Sequence, residues 1–469
     1  MDIRRTTRRT VLSASVVAAT TPLLPGSVAA APPAVNDGPG VPARPQPPDR
    51  ELRRLLREID RDRIQATVLR LAAFGTRHTL SSQDDPVRGI GAARDWLFAA
   101  FQEVAATSGG RMTVEKQSFV QPVSSRIPVP TTITNIVATL RGQSTPDRVY
   151  VVSGHYDSRV TDIMNFTSDA PGADDDASGV ATVLEIARVF ATRPTEATVV
   201  FTAVAGEEQG LYGSAFQAAQ YKAAGADVQG MFSNDIIGSS TSEAGVRDPR
   251  TVRLFADGVP PTETPRDIAI RQAVGGENDS PARQMSRFVQ DVAQNDETGM
   301  RVRVIHRRDR YLRGSDHISY LQNGFPGLRF TEPAENFKHQ HQDTRVENGV
   351  QFGDLPEFCD FGYITRVARV NAAALWSLAQ APGTPRGAVV DTSQLTNDTT
   401  LRWPRGTEPD LAGYEVVWRE TTDPTWSHVI AVGDVTTVTV HLSKDNVFFG
   451  LRAVDKDGHR SPVAFPLPG

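Results

Sequence analysis

The chain has 469 residues and a formal net charge of -5, with 39% hydrophobic and 22% charged residues. This length exceeds what one compact core usually holds, so we expect two domains in an otherwise ordinary globular protein. The nearly balanced charge gives no electrostatic reason to expect nucleic acid or an anionic membrane as the main partner.

The first thirty residues have the pattern of an export signal. Arg8 and Arg9 form a twin-arginine pair, and a stretch of apolar and small residues follows as far as Leu24. Ala29 and Ala31 each end a small-x-small pattern suited to a signal peptidase. We therefore predict a signal peptide over residues 1–30 and a secreted, periplasmic or extracellular location, reached by the twin-arginine route. No later segment has about 18 consecutive apolar residues, so we expect no membrane span.

Composition and periodicity then divide the chain. Seven prolines between residues 31 and 49 predict an extended spacer and not a fold element. In chain order, helices are predicted over 88–104, 178–191, 211–224, 281–294 and 363–379, and strands over 132–140, 149–152, 198–204, 230–237, 302–306 and 326–330. Continuous apolar strands that alternate with amphipathic helices predict an α/β domain, a mostly parallel twisted sheet flanked by helices, over residues 50–382.

The last part of the chain has a different pattern. Residues 386–469 alternate apolar and polar positions between turn signals and show no helical period, which predicts a small all-β sandwich. The run FFGLRAVDKDGHRSP and the nearby Trp403 and Trp418 resemble a fibronectin type III module. Because a proline-rich junction precedes this part, we expect the first domain to work without it.

Carboxylates and imidazoles stand just after the predicted strands. These residues are His155 and Asp157, then Asp174, Asp175 and Asp176, then Glu207 and Glu208, and finally Asp235. Parallel strands bring their carboxyl ends to one edge of a sheet, and histidine and carboxylate side chains that converge there suit a zinc ion. Each group alone has an ordinary explanation as a helix cap or a solvated strand end. Their joint occurrence at one edge favours a metal site.

The motifs also carry a family resemblance. The elements GHYDS, GADDDASGVA, AGEEQGLYGS, ND, SDH and HQDT occur in this order. Over residues 50–380 the chain thereby resembles metallopeptidase family twenty-eight, the secreted dizinc aminopeptidases and their relatives. The resemblance implies two Zn²⁺ ions held by His155, Asp175, Glu208, Asp235 and His339.

The resemblance also implies detailed roles for several residues. Asp175 bridges the two ions, and its peptide bond to Asp176 is cis. His339 is preferred to His341 because it lies four residues before Asp343. Further roles follow for Glu207 as general base, Asp157 as the carboxylate that orients His155, and Asp316 and His317 as supports of the site. Where some relatives have the tyrosine that donates to the developing oxyanion, this chain has Lys338, so Tyr311 is a candidate replacement, with a core or lining tyrosine as the alternative.

The implied function is an exported metallo-exopeptidase that hydrolyses the N-terminal peptide bond of peptide substrates. Carboxypeptidase-like enzymes and other amide hydrolases on the same fold stay open as alternatives. A one-zinc glutaminyl cyclase is disfavoured by the five-ligand set, and a serine hydrolase by the lack of a Gly-x-Ser-x-Gly motif. The C-terminal module could instead make the chain mainly a binding protein for a polymer or protein ligand, if the catalytic domain were inert.

Overall fold

The computed structural model describes residues 38–469, of which Pro39–Gly469 form one compact unit. The predicted twin-arginine signal peptide, residues 1–30, and the first part of the spacer lie outside the described residues. In the described part, no helix is both long enough and apolar enough to cross a membrane.

Ten α-helices and eighteen strands are described between residues 38 and 469. The helices are α1 (Arg50–Arg57), α2 (Arg61–Ala72), α3 (Ile90–Ala106), α4 (Ser178–Ala191), α5 (Glu207–Gly210), α6 (Tyr212–Ala223), α7 (Pro265–Val274), α8 (Pro281–Ala293), α9 (His317–Gln322) and α10 (Phe361–Gln380). The strands of the first part are β1 (Val41–Pro42), β2 (Met112–Gln121), β3 (Thr131–Leu140), β4 (Thr145–His155), β5 (Ala197–Val204), β6 (Asp227–Asn234), β7 (Thr251–Ala256), β8 (Arg301–Ile305), β9 (Gly327–Thr331), β10 (Arg345–Glu347) and β11 (Val350–Phe352). The strands of the last part are β12 (Val389–Val390), β13 (Thr399–Arg402), β14 (Leu411–Glu420), β15 (His428–Gly433), β16 (Thr437–Val440), β17 (Val447–Asp455) and β18 (Leu467–Pro468).

An eight-stranded sheet forms the centre of the first part, in the order β2-β3-β5-β4-β6-β9-β7-β8. The four central strands β5, β4, β6 and β9 are parallel, whereas β2, β3 and β7 pair antiparallel with their neighbours β3, β5 and β9. The α/β class is therefore confirmed. The expected mostly parallel sheet is more mixed than predicted, because both flanks add antiparallel pairs.

The central strands are buried on both faces and bring their carboxyl ends to one edge. All eight residues of β5 are buried, and α4 packs against β4, β5 and β6. A methyl group on Gly154, the residue before His155, would lie 2.6 Å from the backbone of Gly179 in α4. Glycine at both positions lets the helix approach the sheet where the first predicted ligand stands.

The last part of the chain contains two four-stranded sheets, β1-β15-β14-β17 and β16-β13-β12-β18. A separate hydrophobic cluster lies in this part, and its largest members are Trp403, Tyr414, Trp418 and Phe449. The all-β character predicted for residues 386–469 is seen in these strands, while the likeness to a fibronectin type III module stays a prediction.

The spacer is not wholly outside the fold, which corrects the expectation for residues 31–49. Val41 and Pro42 form β1 and pair antiparallel with Val429 and His428 of β15. The indole nitrogen of Trp418 donates a hydrogen bond to the carbonyl oxygen of Pro39 over 2.8 Å. Proline has no backbone N–H to donate. It suits an edge strand such as this one, because one side of an edge strand has no neighbouring strand that needs that hydrogen bond.

A buried ion cluster joins the two parts. Both carboxylate oxygens of Asp279 accept from arginines, at 3.0 Å from Arg287 of α8 and at 2.7 Å from Arg419 of β14. The side chain of Asp279 is fully buried and that of Arg419 is 2% exposed. Breaking a buried pair leaves an uncompensated charge, so the second part contributes to the stability of the first.

Replacing Arg419 by methionine should lower the free energy of unfolding by roughly 3 kcal/mol, because Asp279 would keep only one of its two cationic partners. Arg405→Met is the matched control: Arg405 pairs with Asp434 at the surface of the same part, and such pairs contribute little. Denaturant unfolding of both variants measures the difference. Equal stability of Arg419→Met and the wild type would show that the two parts fold independently of this cluster.

Candidate metal centre

His155 is the last residue of β4, so the sheet itself carries it to the carboxyl edge. Its backbone N–H donates to a carboxylate oxygen of Asp176 over 2.9 Å. Its Nδ1 lies 3.2 Å from the carbonyl oxygen and 3.6 Å from the nearer carboxylate oxygen of Asp157. With Nδ1 held in this way, Nε2 is directed into the site, which is the orienting role predicted for Asp157.

Asp175 lies in the irregular turn Ala173–Ala177 that precedes α4. Its peptide bond to Asp176 is cis, as the family resemblance implied. The backbone N–H groups of Asp174 and Asp175 each donate to one carboxylate oxygen of Asp354 over 2.8 Å. The turn is thus held from a distant part of the chain, and the side chain of Asp175 is directed toward His155.

Glu207 and Glu208 begin the short helix α5 directly after β5. The carboxylate of Asp157 accepts hydrogen bonds from both of their backbone N–H groups, at 3.3 and 3.1 Å. Asp157 therefore fixes the start of this helix as well as the ring of His155. Loss of hydration, reinforced by Asp235 and Glu208, raises the pKa of Glu207 well above its ordinary value.

Asp235 follows β6 and is buried at the same edge. Its carboxylate lies 3.0 Å from Nη2 of Arg329, a fully buried residue of the neighbouring β9. Burial opposes ionisation here, but Arg329 holds the pKa of Asp235 below its usual range. The Asp235 carboxylate is therefore charged and available to a cation.

The structure corrects the choice of the last histidine. Nε2 of His341 lies 2.8 Å from Asp175 Oδ2 and 3.1 Å from Glu208 Oε1. His339, the predicted ligand, instead stacks on Phe358 with ring centroids 3.7 Å apart. The backbone at His341 is left-handed, with φ of 56°, and this local turn separates the directions of two histidines that are only two residues apart.

Five of the predicted site residues, together with His341, form two adjacent groups of possible ligands. Within each group the donor atoms lie within 4.8 Å of one another, and the groups are His155, Glu207 and Asp235, and Asp175, Glu208 and His341. The Nε2 atom of His155 and Oε1 of Glu208 are buried and make no hydrogen bond of good geometry within residues 38–469, although another possible ligand atom lies 3.1 Å from each. Imidazole and carboxylate donors without such hydrogen bonds fit zinc, so the residues present suit the metal that the motifs imply.

Tyr311 does not lie at the site. Its side chain is 80% exposed, and its hydroxyl accepts a hydrogen bond from Arg307. The cavity over the two groups is lined by its neighbours Arg310 and Leu312 but not by Tyr311. The expected role of this hydroxyl in binding the oxyanion is therefore wrong for this arrangement.

Asp316 and His317 lie behind the metal-binding groups, which agrees with a supporting position. Both are buried, and Nε2 of His317 lies 2.9 Å from the carbonyl oxygen of Arg308. Burial raises the pKa of Asp316 to about 7. Neither residue belongs to the two groups of possible ligands.

Sequence reasoning missed several residues that hold the ligands in place. Nε of Arg159 lies 3.0 Å from Glu208 Oε2, and Gln340 donates to Asp175 Oδ2 over 3.2 Å. Arg329 and Asp354 belong with them through the contacts described above. Arg159 directly follows the GHYDS element and Gln340 lies between His339 and His341, so their nearness to the motifs is the signal that could have found them. Asp354 lies in none of the motifs. The Arg329 position, one strand away from Asp235, could be inferred only once the strand order was known.

Comparison with known proteins agrees with this geometry. The description Peptidase family M28 matches residues 135–348, which include every member of the two groups. A probable zinc metalloprotease of Pyrenophora tritici-repentis is 53% identical over 432 residues, covering 92% of this chain and 89% of that protein. The chain belongs to peptidase family M28.

Solved structures resemble this M28 chain more distantly. An aminopeptidase of Legionella pneumophila, LapA, has a TM-score of 0.48 at 18% identity, over 70% of this chain and 75% of that one. A glutaminyl cyclase of Porphyromonas gingivalis has a TM-score of 0.47 at 16% identity, over 67% of this chain and 97% of that one.

Proposed function

We propose that this M28 chain is a zinc metallo-exopeptidase that uses two Zn²⁺ ions to remove N-terminal residues from peptides. The observation that carries the proposal is the position of Asp175 between two histidines. One of its carboxylate oxygens lies 3.1 Å from Nε2 of His155, and the other lies 2.8 Å from Nε2 of His341. A carboxylate that presents different oxygens to two imidazoles suits a bridge between two cations.

The other proposed ligands form one set on each side of Asp175. Asp235 joins His155 on one side, and Glu208 joins His341 on the other. Glu207 lies beside His155 and Asp235 and is left over for proton transfer. The relative from Pyrenophora is named a probable zinc metalloprotease, which supports zinc as the metal.

The proposed reaction is hydrolysis of the amide bond by water. Zinc, when bound, supplies Lewis acidity. Glu207 takes a proton from the attacking water as its oxygen bonds to the carbonyl carbon, and returns that proton to the nitrogen as the carbon–nitrogen bond breaks. Asp157 fixes the positions of His155 and Glu207 relative to each other, because it contacts the ring of His155 and the backbone of Glu207.

The shape of the cavity supports an exopeptidase. It has a volume of about 480 Å³ and contains Asp175, Glu207, Glu208, Asp235 and His341 in its wall. That volume lies within the range of small-ligand pockets, which suits a terminal residue and its neighbour.

A comparison of terminally blocked peptides tests this function. The purified protein should cleave aminoacyl nitroanilides and free peptides from the N-terminus, lose activity with a zinc chelator and recover it with Zn²⁺. Metal analysis should give two zinc ions per chain, and N-acetylation of the peptide should stop cleavage. Release of C-terminal residues from acetylated peptides would replace the proposal with the carboxypeptidase-like alternative.

Export and the role of the last part remain proposals from the sequence. We infer that the twin-arginine pair Arg8 and Arg9 directs export and that cleavage follows Ala29 or Ala31. N-terminal sequencing of the protein recovered outside the cell tests this, and an uncleaved N-terminus there would contradict it. A polymer or protein ligand of residues 386–469 is likewise proposed only from the resemblance to a binding module, and a pull-down with that segment as bait would test it.

A further inference from the structure

The cavity over the metal-binding groups is rich in arginine. Four arginines and no lysine occur among the described residues that line it: Arg126, Arg159, Arg310 and Arg313. Its carboxylates all belong to the two groups of possible ligands or to the proposed base: Asp175, Glu207, Glu208 and Asp235. The cavity therefore has cationic side chains beyond those that the proposed reaction uses, and no spare acid.

Two of the four arginines are already engaged in holding the site. Arg159 contacts the proposed ligand Glu208 through Nε at 3.0 Å. Arg310 is paired with Asp309 at 3.1 Å and with Glu335 at 3.0 Å. Their charges are largely compensated, so they are not the first choice for contact with a substrate.

Arg313 retains donors for a ligand. Among the described residues its one ionic contact is from Nη1 to Glu335 at 3.0 Å, and its side chain is 34% exposed. Glu335 also accepts from Arg253 and Arg310. Three guanidinium groups share this one carboxylate, so the charge of Arg313 is only partly compensated.

Arg126 is the second arginine with free donors. Its Nη1 donates to the backbone carbonyl oxygen of Glu208 over 3.1 Å, which keeps the side chain at the mouth of the cavity. Arg126 is exposed and forms no ion pair within residues 38–469. Its other guanidinium nitrogens are thus available beside a proposed metal ligand.

We propose that Arg126 and Arg313 select substrates that carry a free carboxylate within about one residue of the cleaved bond. Planar guanidinium groups bind carboxylates through paired, charge-assisted hydrogen bonds. These hydrogen bonds are stronger in a partly closed cavity than in water. Arginines on the cavity wall attract an anionic group of the substrate and repel a cationic group. This inference rests on the proposed peptidase function and names its substrate class.

The carboxylate can come from two sources: an acidic side chain on the N-terminal residue, or the C-terminal carboxylate of a dipeptide. Two matched pairs of substrates distinguish them. Glutamyl nitroanilide is compared with glutaminyl nitroanilide for the first source, and alanyl-alanine with alanyl-alanine amide for the second. The zinc-loaded full chain should prefer the anionic member of at least one pair by about tenfold or more in kcat/KM.

Three variants assign the preference to the arginines. Arg313→Gln and Arg126→Gln should each lower the ratio of kcat/KM, anionic over neutral, by about tenfold, because each removes a charge-assisted contact. A ratio within one variant cancels any general loss of activity. Arg303→Gln is the matched control, since Arg303 is an exposed arginine of β8 that is not among the residues lining the cavity, and it should leave the ratio unchanged.

Binding gives a readout that does not need turnover. In a Glu207→Gln background, calorimetry should show that the preferred anionic peptide binds about tenfold more weakly once Arg313 is also replaced by glutamine. Equal kcat/KM within both pairs, or a preference that survives both arginine substitutions, would overturn the inference. The proposed function would still stand if the neutral substrates were cleaved in a zinc-dependent way. Absence of cleavage of all four substrates by zinc-loaded protein would overturn both.

Discussion

Glu207→Gln should lower kcat by about 100-fold or more and leave the zinc content at the wild-type value. Glutamine has nearly the shape of glutamate but cannot take a proton from water at neutral pH. Because Asp157 holds Glu207 through its backbone N–H, the replacement should not disturb the start of α5. Steady-state kinetics and metal analysis on the same preparation measure both quantities.

The matched control for this substitution is Glu243→Gln. Glu243 is an exposed carboxylate whose nearest cation is Lys338, at 3.6 Å, and it lies outside the metal-binding groups. Its loss should leave kcat unchanged. Near-normal turnover of Glu207→Gln would remove Glu207 from the role of base. Loss of zinc from that variant would instead make Glu207 a ligand, which its place beside His155 and Asp235 also permits.

His341→Ala should lose zinc and lower kcat/KM by at least about 100-fold, because one cation would keep only carboxylate ligands. Nε2 of His341 faces both Asp175 and Glu208, and no second histidine belongs to that group of possible ligands among the described residues. Inductively coupled plasma analysis after gel filtration, together with hydrolysis of an aminoacyl nitroanilide, measures the two effects.

His339→Ala is the natural control, since it removes an imidazole two residues away. The ring of His339 stacks on Phe358 and makes no contact with the metal-binding groups. Its loss should affect stability modestly and leave zinc binding as in the wild type. If His339→Ala lost zinc and His341→Ala kept it, the histidine first chosen from the spacing to Asp343 would be the true ligand.

Much of the fold could be predicted from local pattern. The helix predicted over 178–191 is observed as Ser178–Ala191, and the strand predicted over 198–204 is observed as Ala197–Val204. Both are buried at nearly every position, so their apolar residues give a strong signal in the sequence. The prediction missed α1, α2 and β7, although each of them has buried residues. It also missed β2, which is largely exposed at the sheet edge, and α7, which has no buried residue. Elements without a buried face leave little hydrophobic signal.

By itself the sequence determined which residue types stand at the strand ends, because a parallel α/β arrangement brings these ends to one edge whatever the loops do. His155, Asp175, Glu208 and Asp235 were among the candidates for that reason, and the family resemblance singled them out as ligands. Tertiary structure alone decided between His339 and His341, through a left-handed turn at His341 and the stacking of His339 on Phe358.

Tertiary structure also decided that the spacer pairs with a strand and that Arg329 contacts a proposed metal ligand. Val41 pairs with Val429, and Arg329 reaches Asp235 from the next strand. Contacts between segments so far apart in the chain depend on the order and register of the strands. A local pattern of apolar and polar residues cannot encode that order, since many strand orders would bury the same residues equally well.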